Sequence, residues 1–277
     1  MDQRLRQRVA WITGASGGIG RELARQFHAA GARLMLTAHS RLGELEAFVR
    51  SEGLPEETLC LAADVRDAAA LESASQAALE RFGRLDLCVA NAGHWPSDER
   101  PLYALPAARF ADTVAINLLG PAYTLRAFGQ ALAACGPHPD GGGAAAVLIG
   151  STAGRFGERG HSDYAAAKSG LVGLMLSLKN ELVRLDPRAR INLIEPGWTR
   201  TEMARAALDD PQRVRSALRT MALRQLGAAR DVAAAALFLC SPAAAAHITG
   251  QTLTIAGGME GRSLWRDNEI DPGAARR

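Results

Sequence analysis

Short apolar runs rich in β-branched residues alternate with longer alanine-rich segments of helical period, and this alternation constrains the chain more than any other feature. It is the sequence sign of β-α-β units, in which each crossover returns the chain to the same edge, so that successive strands lie parallel. Seven candidate strands follow: Val9–Thr13, Arg33–Ala38, Thr58–Ala62, Leu85–Ala90, Ala145–Ile149, Arg190–Glu195 and Gln251–Ile255. Their apolar character predicts strands covered on both faces. Gly18–Ala29, Asp67–Arg81, Ala107–Ala133, Tyr164–Leu185 and Ala228–Leu239 are long enough to be the crossover helices. Asp67 stands where an N-cap is wanted, Gly83 where that helix ends, and Pro187 stops the helix that follows Tyr164. Gly136–Gly143, with two prolines and four glycines, reads as an exposed connection.

With 277 residues the chain fits one hydrophobic core. Hydrophobic residues at 48% against 22% charged can fill it, which argues against wholesale disorder. Net charge is only +3, with no block of like charges, so nucleic acid is not an expected partner. Lys168 and Lys179 are the only lysines, all other basic residues being arginine. No apolar run reaches the length of a bilayer span, and Met1–Arg4 opens no apolar signal core, so a cytoplasmic protein without membrane contact is expected. Cys60, Cys88, Cys135 and Cys240 form no Cys-x-x-Cys pair, and the six histidines show no ligand spacing, so no metal site is expected. Residues 1–258 read as one domain and Met259–Arg277 as a polar tail, disordered or packed on a neighbouring subunit.

The first candidate strand runs into VAWITGASGGIG and then into a helix. Glycine lets backbone approach a pyrophosphate closely, and a helix N-terminus offers unpaired N–H groups and a positive dipole end. The spacing Thr13-Gly14-x-x-x-Gly18-x-Gly20 resembles the short-chain dehydrogenase/reductase family. Further motifs of that family recur in order: Asn91-Ala92-Gly93, Ser151, Tyr164 with Lys168, Pro196-Gly197, and Gly257-Gly258. The resemblance runs from about Arg8 to Gly258, with one departure: Ala256 stands where an aspartate is frequent. It implies an α/β, doubly wound, Rossmann-like domain with a parallel seven-stranded sheet and helices on both faces.

Tyr164 follows Ser151 by thirteen positions and precedes Lys168 by four, which puts the tyrosine and lysine on one helix face. A free phenol, of pKa about 10, suits a proton donor at neutral pH; a nearby ammonium and a cationic nicotinamide would draw that pKa down. The resemblance implies that Tyr164 exchanges the proton, Lys168 tunes it and binds the nicotinamide ribose, Ser151 holds the substrate oxygen, and Asn117 distorts its helix and holds a relay water. It also carries coenzyme contacts to Gly14, Ser16, Gly18, Ile19 and Gly20, to His39, Ser40 and Arg41, to Asp64 and Val65, to Asn91, Ala92 and Gly93, to Tyr164 and Lys168, and to Pro196, Gly197, Thr199 and Thr201.

The implied activity is hydride transfer between a nicotinamide coenzyme and a carbonyl or secondary alcohol, in the manner of 3-oxoacyl-carrier-protein-type ketone reductases. A catalytically silent coenzyme sensor or scaffold of the same fold is the alternative. NADP(H) is favoured over NAD(H), because Ala38 stands where NAD-dependent relatives carry an acid while Ser40 and Arg41 could bind a 2′-phosphate. Gly17 stands where many NADP users carry a second basic residue. His94, Trp95, Arg155, Phe156 and His161 could border the substrate or simply pack, and a lid is expected from about Glu202 to Leu226. A homotetramer paired through Ala107–Ala133 and Tyr164–Leu185 is implied as well.

Overall fold

In the computed structural model, which describes residues 5–202, 204–271 and 273, the chain alternates strands and helices in the order β1 (Val9–Thr13), α1 (Gly18–Ala29), β2 (Arg33–Ala38), α2 (Leu42–Ser51), β3 (Leu59–Ala62), α3 (Ala68–Phe82), β4 (Leu87–Ala90). It continues through α4 (Ala107–Val114), α5 (Gly120–Cys135), β5 (Ala145–Ile149), α6 (Thr152–Phe156), α7 (Ser162–Leu182), β6 (Arg190–Pro196), β7 (Thr199–Arg200), α8 (Arg205–Leu208), α9 (Pro211–Leu218), β8 (Gly227–Ala228), α10 (Ala229–Cys240) and β9 (Thr252–Ile255). Seven strands form one parallel sheet in the order β3-β2-β1-β4-β5-β6-β9. The direction of winding reverses between β1 and β4, and at such a switch point a crevice opens beyond the strand ends. β7 and β8 pair separately and bracket the lid.

Because side chains alternate across a strand, β1 feeds two cores at once. Ala10 and Ile12 join Leu23 and Phe27 of α1, Leu45 and Phe48 of α2, and Val232 and Leu239 of α10. Val9 and Trp11 point the other way, to Leu71 of α3, Phe128 of α5 and Leu171 and Met175 of α7. This is the doubly wound α/β domain expected. None of the helices among the described residues is long and apolar enough to cross a membrane.

Local differences have local causes. The expected helix Ala107–Ala133 is interrupted by a π turn over Ala115–Leu119, where the fully buried Asn117 donates from Nδ2 to the carbonyls of Thr113 at 3.0 Å and His94 at 2.9 Å. β4 starts at Leu87, not Leu85, and the neighbouring Asp86 turns its carboxylate onto the Val9 amide and the Arg84 guanidinium. α2 went unread: Gly43 lies in its first turn and no side chain caps it. Asp67 does cap α3, accepting from the amides of Ala69 and Ala70, and Gly83 ends it in a left-handed conformation. α7 ends at Leu182, before Pro187 is reached.

The described part of the tail is ordered against the lid of its own chain, in a third, smaller core where Ile270, Trp265 and Met259 meet Val214, Leu218 and Met221. Residues 272 and 274–277 of the tail, Met203 of the lid and residues 1–4 lie outside the described residues.

One buried ion pair fixes the start of α7. Asp163, fully buried, accepts from Thr113 Oγ1 at 2.9 Å and from Arg109 Nε at 3.0 Å, both on α4, while Arg109 Nη1 reaches the Asp98 loop. Removing one member of a buried pair strands the other, so Asp163→Ala should cost about 3–5 kcal/mol, read as a lower urea midpoint at unchanged slope. A loss below about 1 kcal/mol, the scale of an exposed pair, would mean that this contact does not hold the two helices.

Candidate active site

The glycine turn after β1 is built by close approach. Gly14 has φ +63°, and a Cβ there would lie 2.8 Å from Ala92 Cα; a Cβ at Gly20 would lie 2.3 Å from the Gly14 carbonyl oxygen. Only glycine fits at either place. Thr13 Oγ1 accepts from the amides of Asn91 and Ala92, and Asn91 Nδ2 donates to the Thr13 and Gly14 carbonyls, which fastens the turn to the end of β4. α1 starts with no side-chain cap and no acid in its first turn. Its amides and positive dipole end therefore face a glycine-lined cradle suited to the pyrophosphate of a dinucleotide.

One cavity of about 1260 Å³ runs along the carboxyl edge of the sheet. It brings together every residue expected of the coenzyme site, from Gly14, Ser16, Gly18, Ile19 and Gly20 to His39, Ser40, Arg41, Asp64 and Val65, then Asn91, Ala92 and Gly93, and finally Pro196, Gly197, Thr199 and Thr201, together with Ser151, Tyr164 and Lys168. Thr201 stands over the turn, since a Cβ at Gly18 would touch it at 3.4 Å. At the end of β2, Arg41 reaches Glu202 at 3.0 Å, and His39 Nε2 lies 3.4 Å from Asp64. A fork of hydrogen bonds from Arg66 holds the Asp64 carboxyl below the usual carboxylate range. Ala38 is buried at the strand end.

Deeper in, Ser151 ends β5 and caps α6 by accepting from the Ala153 amide at 3.1 Å. Its hydroxyl also lowers the Tyr164 phenol's pKa, though by less than burial raises it. One turn on along α7, Lys168 is 4% exposed and donates from Nζ to the Ile149 carbonyl at 2.9 Å, with Nζ 5.7 Å from the centre of the Tyr164 ring. Burial disfavours the charged form of both groups, driving their pKa values in opposite directions. It lifts the phenol to about 12, against a smaller lowering by Ser151, and brings the ammonium down to about 8. The phenol is thus protonated at neutral pH.

Asn117 is the one expected site residue that does not line the cavity. It lies behind the Gly93 wall, where a Cβ would sit 3.0 Å from Asn117 Oδ1 and 3.4 Å from Lys168 Nζ, and its Oδ1 accepts from the His94 amide at 3.1 Å. Of the five residues left open between substrate contact and packing, His94, Trp95 and Phe156 border the cavity. His161 is buried behind it, stacked on Trp95 at 4.7 Å, and Arg155 turns to Thr254. Sequence reading missed the acid on the rim. Glu158, between Ser151 and Tyr164, faces the cavity, accepts from the Trp95 indole at 3.4 Å and has its pKa raised chiefly by burial. Glu99 on the same rim bridges to Arg213 of the lid at 2.9 Å. A charged residue in the short segment before Tyr164 was the available signal.

Comparison with known proteins agrees with this geometry. A family model described as enoyl-(acyl carrier protein) reductase matches residues 14–260. The 3-oxoacyl-(acyl-carrier-protein) reductase of Salmonella typhimurium is 34% identical over 254 residues, 91% of this chain and 97% of that one. The acetoacetyl-CoA reductase of an Acinetobacter species is 31% identical over 255 residues, 91% and 98% of the two chains. Among solved structures, a short-chain dehydrogenase/reductase of the glucose/ribitol dehydrogenase kind from Brucella melitensis superposes with a TM-score of 0.83 at 34% identity, covering 94% of this chain and 99% of that one. Levodione reductase gives 0.82 at 33%, covering 92% and 98%. With its glycine cradle at the switch point, its serine, tyrosine and lysine on one cavity and these likenesses over nearly its whole length, the chain belongs to the short-chain dehydrogenase/reductase family of nicotinamide-dependent oxidoreductases.

Proposed function

We propose that the protein interconverts a ketone and the corresponding secondary alcohol, with Tyr164 as the group that moves the proton. The observation that carries this reading is the arrangement on the cavity floor: a neutral phenol and the Ser151 hydroxyl on one wall, with a buried ammonium 5.7 Å from the phenol ring, beside a cradle that fits a dinucleotide. The coenzyme, when bound, supplies or accepts the hydride. Ser151 holds the substrate oxygen, and Tyr164 gives its hydroxyl proton to that oxygen as negative charge grows there. Lys168 stabilises the phenolate left behind and would hold the ribose of the coenzyme. In the oxidative direction the same phenolate takes the alcohol proton. Asn117 acts behind the wall, opening the helix into the π turn beside the Lys168 ammonium and setting the His94 backbone.

Arg41 and Ser40 at the adenosine end support NADPH as the preferred coenzyme, with Ala38 in place of the strand-end acid that would repel a 2′-phosphate. The Arg41–Glu202 pair is exposed and holds by no more than about 1 kcal/mol, so a phosphate can take the guanidinium from it. A cytoplasmic setting accords with four free thiols, two of them buried. A homotetramer belongs to the same reading, supported by Leu176 on α7 and Phe238 on α10, large apolar side chains left exposed.

Two measurements decide these points. Tyr164→Phe removes the proton and almost no volume, so ketone reduction should fall roughly 10²–10⁴-fold while the coenzyme dissociation constant stays near that of the unaltered protein. A variant keeping more than about a tenth of the activity would remove Tyr164 from the mechanism. A protein that binds coenzyme but turns over no ketone or alcohol would instead be the silent sensor of the same fold. For the coenzyme, Arg41→Ala should lower kcat/KM for NADPH about tenfold or more relative to NADH, the worth of one charged hydrogen bond. An unchanged ratio would unseat Arg41.

A further inference from the structure

The match to the family model ends at residue 260, yet the chain that follows borders the cavity at Gly261 and then packs on the lid. The Glu260 amide donates to the Thr220 carbonyl at 2.9 Å and the Leu264 amide to that of Arg219 at 2.6 Å, so this segment runs beside the end of the lid. Trp265 then locks it. Its indole N–H donates to the Met221 carbonyl at 2.7 Å, its ring carries the Arg224 guanidinium 4.5 Å from its centre, and its carbonyl accepts from Arg219 Nε at 3.0 Å. Arg219 also pairs with Asp267, and Arg224 donates to the Glu269 carbonyl.

The lid depends on this contact. Its helices α8 and α9 have four and eight residues, too short to persist unaided, and the small core beneath them draws Met259, Trp265 and Ile270 from beyond β9. The same segment also walls the cavity. Met259, Glu260 and Gly261 line it, and a Cβ at Gly261 would lie 3.8 Å from the Phe156 ring, on the short helix that Ser151 caps. The tail therefore spans from the lid to the substrate end of the catalytic floor.

We propose that residues 261–271 are a strap that holds the lid over the substrate end of the site and selects compact ketones over long acyl chains, with Trp265 as its positioning residue. This rests on the oxidoreductase reading above. Bulk carried beyond the immediate substituents of the carbonyl meets the wall that Phe156 and the strap form together. Releasing the strap frees the lid and opens that wall, while Ser151 keeps its place at the start of α6 and Tyr164 and Lys168 keep theirs on α7.

The experiment compares the full chain with a chain ending at Gly261, with Trp265→Ala and with Trp265→Phe. Each is assayed with NADPH and straight-chain ketones of increasing length, and each is digested with trypsin, which can cut the lid after Arg213, Arg215, Arg219 and Arg224. For the shortest ketone, truncation and Trp265→Ala should raise KM roughly tenfold, the factor that about 1.4 kcal/mol of lost lid ordering gives, with kcat little changed. The advantage of short over long ketones should disappear and lid cleavage should accelerate by a similar factor. Trp265→Phe, which keeps the ring over Arg224 but loses the N–H, should fall between, and it serves as the test if the shortened chain does not fold. Lid cleavage and chain-length profile both equal to those of the full chain would overturn the proposal. Faster lid cleavage in the variants of a protein that reduces no ketone would defeat the oxidoreductase reading and leave the strap's hold on the lid standing; ketone turnover with an unaltered length profile would defeat the strap as selector.

Discussion

A buried ammonium group has to be given room, an acceptor and a use, and the burial of Lys168 organises the centre of this molecule. The acceptor is the Ile149 carbonyl at the end of β5. Room comes from two glycines. A Cβ at Gly93 would press on Nζ at 3.4 Å, and one at Gly154 would lie 2.8 Å from the Lys168 carbonyl carbon and 3.1 Å from its Cβ. The π turn at Asn117 closes the far side, held to the backbone on which Gly93 sits. Burial of this kind disfavours charge, and it both lowers the pKa of Lys168 and raises that of Tyr164, half-buried on the wall of the same cavity.

The sheet decides where that environment lies. Winding reverses between β1 and β4, so the turn after β1 and the end of β4 splay apart at the same edge to which β5 brings Ser151. The glycine turn and Tyr164 thus share one cavity without a long-range device to align them. Over the opening, the lid is held from both sides by charge: Glu202 reaches Arg41 just past the end of β2, and Arg213 reaches Glu99 on the opposite rim. Such exposed pairs are worth little individually, which suits a cover that has to open.

Much of this was legible in the amino-acid order because it rests on residues with few alternatives. Gly14 and Gly20 are forced by backbone contacts under 3 Å, and Tyr164 and Lys168 share a helix face by spacing alone. The parallel strands were legible from their apolar runs, since both faces of the sheet are covered. What stayed hidden depends on partners distant in sequence. The partner that holds the distorted helix at Asn117, the carbonyl of His94, lies twenty-three positions before it. The order of the tail needs Met221 and Arg219, more than forty positions before Trp265. Glu158 gave no signal beyond its charge, because only folding sets it against Trp95 at the cavity rim.

The central claim is that Tyr164 delivers its proton while the Lys168 ammonium stabilises the phenolate that remains. The dependence of kcat/KM on pH for ketone reduction, in the unaltered protein and in Lys168→Met, tests it most directly. With its pKa near 12, Tyr164 stays protonated through the accessible range, whereas Lys168, lowered to about 8 by burial, is charged below that pH and neutral above it. Efficiency should therefore hold level on the acid side and fall as pH rises through about 8, with that descending limb absent from Lys168→Met. An efficiency that stays constant or climbs through this range, or a descending limb that survives the loss of the lysine, would contradict the account.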